Sequence, residues 1–141
     1  MKRLLFVAIL FTLPLAACAG SRAPATSSQP AKVLVPGGSY TNVSVTQLKA
    51  MLDKKDFAFV NVHIPYEGEI AKTDAFVPYN EIEKNLDRLP ADKNARIVLY
   101  CRSDRMSRIA AETLVGLDYT NIWNLDGGML AWEQAGLPLE R

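Results

Sequence analysis

The sequence contains a single histidine, His63, so a metal site built from several histidines is excluded and we expect no metal. Basic residues barely outnumber acidic ones, since the sequence has 16 Lys and Arg and 15 Asp and Glu. No basic face or tail stands out, and we expect no nucleic-acid partner. Cysteine is almost as scarce: only Cys18 and Cys101 are present, so at most one disulfide could form.

The N-terminus lacks an apolar run long enough to cross a bilayer as a helix. Leu4 to Leu13 is apolar over only about ten residues, which is the length of the hydrophobic part of an export signal. Lys2 and Arg3 supply the positive charge that normally precedes such a run. We therefore expect residues 1–17 to be a signal peptide.

The segment Leu15-Ala16-Ala17-Cys18 resembles the lipobox of bacterial lipoproteins. This resemblance implies that Cys18 is lipidated and becomes the first mature residue. It also implies a lipid anchor in the cell envelope facing the periplasm, and Ala19 points to the outer membrane. A competing interpretation is ordinary cleavage after Ala19, which gives a soluble periplasmic protein. If Cys18 carries lipid, Cys101 is the one remaining thiol and no internal disulfide can form.

The rest of the chain is long enough for one domain with a core and too short for two. Residues 18–32 are rich in Ser, Ala, Pro, Thr and Gln and are expected to be a flexible tether. In residues 33–141, β-branched apolar runs alternate with amphipathic runs of about ten residues. This order predicts a single α/β domain with a central, mainly parallel sheet and helices on both faces. The predicted strands are 43–45, 57–62, 75–78, 96–100 and 121–124, and the predicted helices are 46–54, 79–89, 108–117 and 129–134.

We expect the reactive group of this protein in the stretch from Ile97 to Ser107. Its apolar start predicts a buried strand, and Ser107 is a plausible N-cap for the following helix. Between them lies a short polar loop that begins with Cys101. Loop N–H groups and the positive end of a helix favour a thiolate at such a position. Arg102 and Arg105 add positive charge, and the alternative is an inert buried cysteine.

The end of a second strand is expected near this loop. Ligand crevices in parallel sheets lie at the carboxyl ends of the strands, so His63 and Asn61 should share a rim with Cys101. His63 could act as an acid or base, or it could be a partly buried polar side chain at a strand end, hydrogen-bonded to backbone. Asp126-Gly127-Gly128 lacks the spacing of a nucleotide-binding loop and predicts a turn with close helix packing.

From Phe57 to the C-terminus the sequence resembles the rhodanese-like domain family. The matching segments are Tyr100-Cys101-Arg102-Ser103, Ala110-Ala111-Glu112-Thr113-Leu114, Asn124-Leu125-Asp126-Gly127-Gly128-Met129, Ala131-Trp132 and Ala135-Gly136-Leu137-Pro138. The resemblance implies a nucleophilic Cys101 that accepts sulfane sulfur as a persulfide, with no other cofactor. It also implies a loop that binds the substrate, formed by Arg102, Ser103, Asp104, Arg105, Met106 and Ser107.

The chain departs from the family pattern at several positions. Asp104 stands where glycine is usual and Met106 where many members have arginine. Asn61-Val62-His63 replaces a frequent Asp-x-Arg, so neutral groups stand where a charged pair braces the loop. A related phosphatase needs arginine six residues after the cysteine, where this chain has Ser107.

The expected function is therefore sulfur transfer through Cys101, from a donor such as thiosulfate to cyanide or a thiol. The partners implied are a small sulfur-containing anion and a thiol. The alternative is a weakly active or inactive module of the same fold that binds a partner protein or an anion in the envelope. Asp104 and Met106 favour that alternative.

Overall fold

A computed structural model describes residues 29–141. The predicted signal peptide at 1–17, the predicted lipidation site at Cys18 and most of the predicted tether lie outside these residues. The first strand begins at Ala31, two residues before the expected start of the domain at Val33. No helix in the described range is long and apolar enough to cross a membrane.

The described chain forms one six-stranded sheet in the order β1-β2-β6-β5-β3-β4. Strands β1 and β2 form an antiparallel hairpin, and all other neighbours are parallel. The strands are β1 (Ala31–Val35), β2 (Gly38–Val43), β3 (Ala58–Asn61), β4 (Ala75–Phe76), β5 (Ile97–Tyr100) and β6 (Ile122–Leu125). The mainly parallel sheet predicted from the sequence is confirmed.

Helices cover both faces of the sheet, as predicted. They are α1 (Val45–Asp53), a 3₁₀ helix (Tyr79–Arg88), α2 (Arg105–Gly116) and α3 (Gly128–Gln134). The 3₁₀ helix and α2 pack on one face, and α1 and α3 pack on the other. Strand β5 shows the two-residue period of a doubly covered strand, since Ile97, Leu99 and Cys101 join the first core while Val98 and Tyr100 join the second.

Three predicted boundaries were wrong for local reasons. Helix α1 is capped by Ser44, not Thr46, because Ser44 and Gln47 form a reciprocal capping box. The strand expected at 43–45 ends at Val43 and begins earlier, at Gly38. Helix α2 begins at Arg105, so Ser107 lies inside its first turn and is not its N-cap.

Candidate functional site

The loops that follow β3 and β5 meet at one edge of the sheet. Both strands run parallel and lie side by side, with Asn61 opposite Tyr100. Cys101, the first residue after β5, therefore lies beside Val62, the first residue after β3, and His63 comes next along that loop. Arg102 and His63 both approach the carboxylate of Glu67, which shows that the two loops share a rim.

The Cys101 thiol is enclosed but has polar partners. The residue is 1% exposed and belongs to the core on the α2 face of the sheet. The backbone N–H of Asp104 donates to its Sγ at 3.1 Å, and the Ser107 hydroxyl lies 3.4 Å from the same atom. Among residues 29–141 these are the two hydrogen-bond donors to Sγ, where the sequence had suggested a wider set of loop amides.

Ser107 has a role that its sequence position did not reveal. It is fully buried, and its Oγ lies 3.0 Å from the Asp104 carbonyl oxygen as well as 3.4 Å from Sγ. One hydroxyl proton can serve either acceptor. It can therefore turn to the sulfur when negative charge is present there and to the carbonyl when it is not.

Asp104, which stands where the resemblance leads us to expect glycine, adopts a positive φ. Its φ is 99°, an unfavourable conformation for an L-residue. The side chain compensates, since Oδ1 accepts a 2.6 Å hydrogen bond from Asn124 and Oδ2 lies 3.7 Å from the Arg108 guanidinium. Burial raises the pKa of the Asp104 carboxyl, although the Asn124 hydrogen bond opposes this. The same residue thus bends the loop and aims its N–H at Sγ.

The N-terminus of α3 anchors the other side of the cysteine loop. Met129 N–H donates to the Cys101 carbonyl and Leu130 N–H to the Arg102 carbonyl, both at 2.9 Å. Gly128 has φ 57°, and a Cβ there would collide with the Cys101 carbonyl oxygen and lie 2.8 Å from that of Arg102. The turn with close helix packing that Asp126-Gly127-Gly128 predicted is confirmed. The packing partner is the backbone of the cysteine loop.

The loop after β3 is braced by Asn61. This buried side chain donates to the Gly68 carbonyl and accepts from the His63 backbone N–H, each at 3.0 Å. The neutral Asn61 therefore holds its own loop by two hydrogen bonds to backbone. The sequence had predicted its place at the rim but not these bonds.

His63 is 6% exposed, and neither of its ring nitrogens forms a hydrogen bond within residues 29–141. The interpretation of a side chain hydrogen-bonded to backbone was wrong. Its Nε2 lies 3.4 Å from Oε2 of Glu67, while Arg102 donates to that same oxygen at 2.6 Å. Glu67 therefore stands between two cationic or potentially cationic groups.

The remaining loop residues contribute less to the enclosed site. Ser103 and Arg105 are exposed, and within the described range neither side chain makes a hydrogen bond or an ion pair. Met106 is partly buried and packs against the core on the α2 face. Arg102 is 47% exposed and turned toward Glu67.

A cavity of about 460 Å³ opens beside the cysteine loop. Its lining residues are Tyr66, Glu67, Gly68, Arg102 and Arg141. Arg141 reaches the cavity because the C-terminal segment pairs with the loop after β3, where Glu69 and Glu140 exchange two backbone hydrogen bonds of 2.8 Å. The sequence analysis missed this pairing. The residue in the sequence that could have indicated this pairing is Gly68. A Cβ added to Gly68 would lie 2.7 Å from the Glu140 carbonyl oxygen.

Comparison with known proteins identifies relatives of this chain. The family model described as the rhodanese-like domain matches residues 44–135. A protein of Synechocystis sp., slr1261, is 36% identical over 70% of this chain, and the match spans 56% of that protein. A protein of Allochromatium vinosum named sulfurtransferase is 33% identical over 63% of this chain and 83% of its own length.

Solved structures match as well. A rhodanese-like domain protein from Staphylococcus aureus is 26% identical, with a TM-score of 0.58 over 71% of this chain and 98% of that chain. The match to nearly the whole of that protein agrees with the single-domain architecture described above.

Proposed function

The chain belongs to the rhodanese-like domain family, and on that premise we propose that it is a sulfurtransferase in which Cys101 carries the sulfur. The observation that supports this most is the pair of donors aimed at Sγ, the Asp104 N–H at 3.1 Å and the Ser107 hydroxyl at 3.4 Å. Donors placed on a sulfur stabilise the thiolate, which is the nucleophilic form. The family relative named sulfurtransferase supports the same reaction class.

The reaction is covalent catalysis in two displacements. The Cys101 thiolate attacks the outer sulfur of a donor such as thiosulfate and forms a new S–S bond. The S–S bond of thiosulfate breaks, and sulfite leaves with the electron pair. Cyanide or a thiolate then attacks the outer sulfur of the Cys101 persulfide, the enzyme S–S bond breaks, and the Cys101 thiolate returns. No cofactor takes part, because the sulfane sulfur keeps its electron count from donor to acceptor.

Transfer from thiosulfate to cyanide tests this proposal. We expect turnover by the full chain, and intact mass spectrometry after incubation with thiosulfate should show one added sulfur atom. Cys101→Ser should abolish both signals. Cys18→Ser, which removes the other cysteine, is the matched control and should leave both unchanged. Turnover that survives Cys101→Ser would overturn the assignment.

A second candidate is a module that binds a partner protein or an anion without transferring sulfur. The observation that favours it is the 1% exposure of Cys101, since reactive cysteines are usually partly accessible. Asp104 at the usual glycine position points the same way. If no sulfane donor adds sulfur to Cys101 in the folded protein, this candidate replaces the enzyme.

We also propose that Cys18 carries the lipid that anchors the domain at the outer membrane, facing the periplasm. Intact mass spectrometry of protein expressed in bacteria should find residues 1–17 removed and diacylglycerol added. The Cys18→Ser variant should lose that mass. Unlipidated protein cleaved after Ala19 would instead establish the soluble periplasmic form.

A further inference from the structure

Asn124 is a polar side chain buried in the centre of the sheet. It lies on β6, between β2 and β5, and it is fully buried. Ile122, two residues earlier, joins the core on the α2 face, so Asn124 faces the same side of the sheet as Cys101. The amide nitrogen of Asn124 donates to Oδ1 of Asn42 at 2.9 Å and to Oδ1 of Asp104 at 2.6 Å. The second bond joins the sheet to the loop that holds the thiol.

Stability alone does not explain an asparagine at this position. The Oδ1 atom of Asn124 is buried and has no hydrogen-bond partner within residues 29–141. An ionised carboxylate only accepts hydrogen bonds, so the amide must turn its nitrogen toward Asp104 and leave its oxygen on the other side. A buried acceptor without a donor lowers stability, and an apolar side chain of the same shape would avoid that loss. The contact with Asp104 is therefore the feature that calls for an explanation.

The Asp104 side chain does not serve the helix that it precedes. An aspartate in this position usually accepts from a backbone N–H of the first helical turn, and Asp104 makes no such bond. Its carboxylate instead binds Asn124, which lies 20 residues further along the chain. Arg108 is a second partner, but it is 3.7 Å away and 52% exposed, and such pairs contribute little. Asn124 is thus the main side-chain contact that holds Asp104.

This contact controls where the Asp104 N–H points. The Asp104 carbonyl oxygen is fixed by the Arg108 N–H at 3.0 Å, while the Asp104 N–H donates to Sγ of Cys101 at 3.1 Å. A residue with a Cβ is strained at φ 99°. With the carbonyl oxygen held, relaxation of φ would turn the N–H away from the sulfur. The bond from Asn124 to the side chain opposes that rotation.

We propose that Asn124 is a positioning residue for Cys101, which acts through Asp104 to keep a hydrogen-bond donor on the sulfur. Its consequence for sulfur transfer rests on the proposed function, because a donor on Sγ favours the thiolate from which that transfer starts. The requirement for Asn124 is specific to the aspartate of this chain. Glycine at position 104 would adopt a positive φ without a Cβ to strain it and would offer no carboxylate to bind.

The pH profile of Cys101 alkylation by iodoacetamide tests the inference on the full chain. In Asn124→Leu we expect the midpoint of the profile to rise by about one pH unit, which slows alkylation at neutral pH by about tenfold. Asn121→Leu is the matched control at the other end of β6. The Asn121 side chain also forms two hydrogen bonds, to the Asn94 carbonyl and the Trp123 indole, so its loss costs stability but should leave the midpoint unchanged.

Two variants of Asp104 test the same bond without altering the buried strand. Asp104→Ala and Asp104→Asn both remove the charge, but only asparagine keeps an oxygen that accepts from Asn124. We expect the midpoint of the alanine variant to lie about one pH unit above that of the asparagine variant. Adding Asn124→Leu to Asp104→Ala should cause no further rise, because the bond is already absent.

Alkylation needs no sulfur donor, so this inference and the proposed function can fail separately. If thiosulfate transfer occurs but Asn124→Leu and Asn121→Leu have equal midpoints, the positioning role is wrong and the sulfurtransferase stands. If the midpoints shift as expected but no donor adds sulfur to Cys101, Asn124 positions the thiol and the proposed function fails. Equal midpoints in Asp104→Ala and Asp104→Asn would also overturn the inference. Those two variants decide the question if circular dichroism shows that Asn124→Leu does not fold.

Discussion

Two loops leave neighbouring parallel strands at the same edge of the sheet, and they are built differently. In the loop after β5, hydrogen bonds converge on the sulfur and on the backbone beside it. The N–H groups of α3 donate to two loop carbonyls, and the Asp104 N–H and the Ser107 hydroxyl donate to Sγ. In the loop after β3, Asn61 and the C-terminal segment hold the backbone. Near the rim, the Glu67 carboxylate lies at the surface, and the ring nitrogens of His63 lack hydrogen bonds within the described chain.

The difference separates two tasks. A nucleophile benefits from groups that are already in place before reaction, because no free energy is then spent on reorganisation. A binding surface benefits from side chains that can exchange partners when the ligand arrives. The cysteine loop has the first property, whereas in the loop after β3 the Glu67 carboxylate lies near two side chains, Arg102 and His63. The following variants test that division, beginning with the largest expected effect.

Gly128→Ala should disable the cysteine loop. Its Cβ would collide with the Cys101 carbonyl oxygen, and alanine is strained at φ 57°. We expect sulfur uptake by Cys101 to fall by about 100-fold or more, as expected when a reacting group moves by about 1 Å. The measurement is persulfide formation followed by mass spectrometry.

Gly116→Ala is the matched control for this variant. Gly116 ends α2, and an added Cβ there meets no atom within 4 Å. Alanine should leave sulfur uptake unchanged and cost no stability. Equal losses in the two variants would show that contact with the cysteine loop is not the cause.

Asn61→Leu should weaken the loop after β3 and leave the cysteine loop intact. The change leaves the His63 N–H and the Gly68 carbonyl without their partner, which should lower the free energy of unfolding by about 2–4 kcal/mol. Urea unfolding measures this loss, and transfer to cyanide per folded molecule should stay within severalfold of wild type. The exposed Asn80→Leu is the control. A collapse of cyanide transfer in the folded Asn61 variant would contradict the division between the loops.

Ser107→Ala removes one of the two donors on Sγ and should leave the fold unchanged. Alkylation of Cys101 by iodoacetamide at neutral pH should slow by about tenfold, the effect of roughly one hydrogen bond to a charged group. Ser39→Ala in β2 provides the comparison, since Ser39 lies on a strand away from the sulfur. An unchanged alkylation rate would show that the hydroxyl stays on the Asp104 carbonyl.

Asp104→Asn should give the smallest effect, and the size of that effect depends on pH. Burial raises the pKa of Asp104 above its unfolded value, so the stability that the neutral carboxyl contributes is lost as pH rises through the folded pKa. Asparagine keeps the oxygen that accepts from Asn124 and carries no charge. We therefore expect a slightly higher Tm than wild type at neutral pH and a smaller difference near about pH 3.

The exposed Asp87→Asn is the control for that pH dependence, because Asp87 lies at the surface of the 3₁₀ helix. Its Tm should follow wild type at every pH. A difference between Asp104→Asn and wild type that grows on acidification would contradict the assigned direction of the pKa shift.

Much of the architecture could be predicted from the sequence because its signals are local. Apolar runs such as Ile97–Tyr100 mark buried strands wherever they occur, and Asp126-Gly127-Gly128 requires a turn whatever surrounds it. The place of Cys101 at a strand end followed from the same pattern. The position of Ser107 did not, because the start of α2 depends on the positive φ of Asp104, which Asn124 supports from another strand.

By itself, the sequence determined that this is one α/β domain with a cysteine thiol at the end of a central strand. Only the tertiary structure decided what surrounds that thiol. Asn124, Gly128 and Arg141 reach the site from other elements, and no periodicity or spacing records a contact between residues distant along the chain. The periods of strands and helices are set by the local backbone, whereas the donors to Sγ, the ion pair of Arg102 with Glu67 and the cavity arise from how those elements pack.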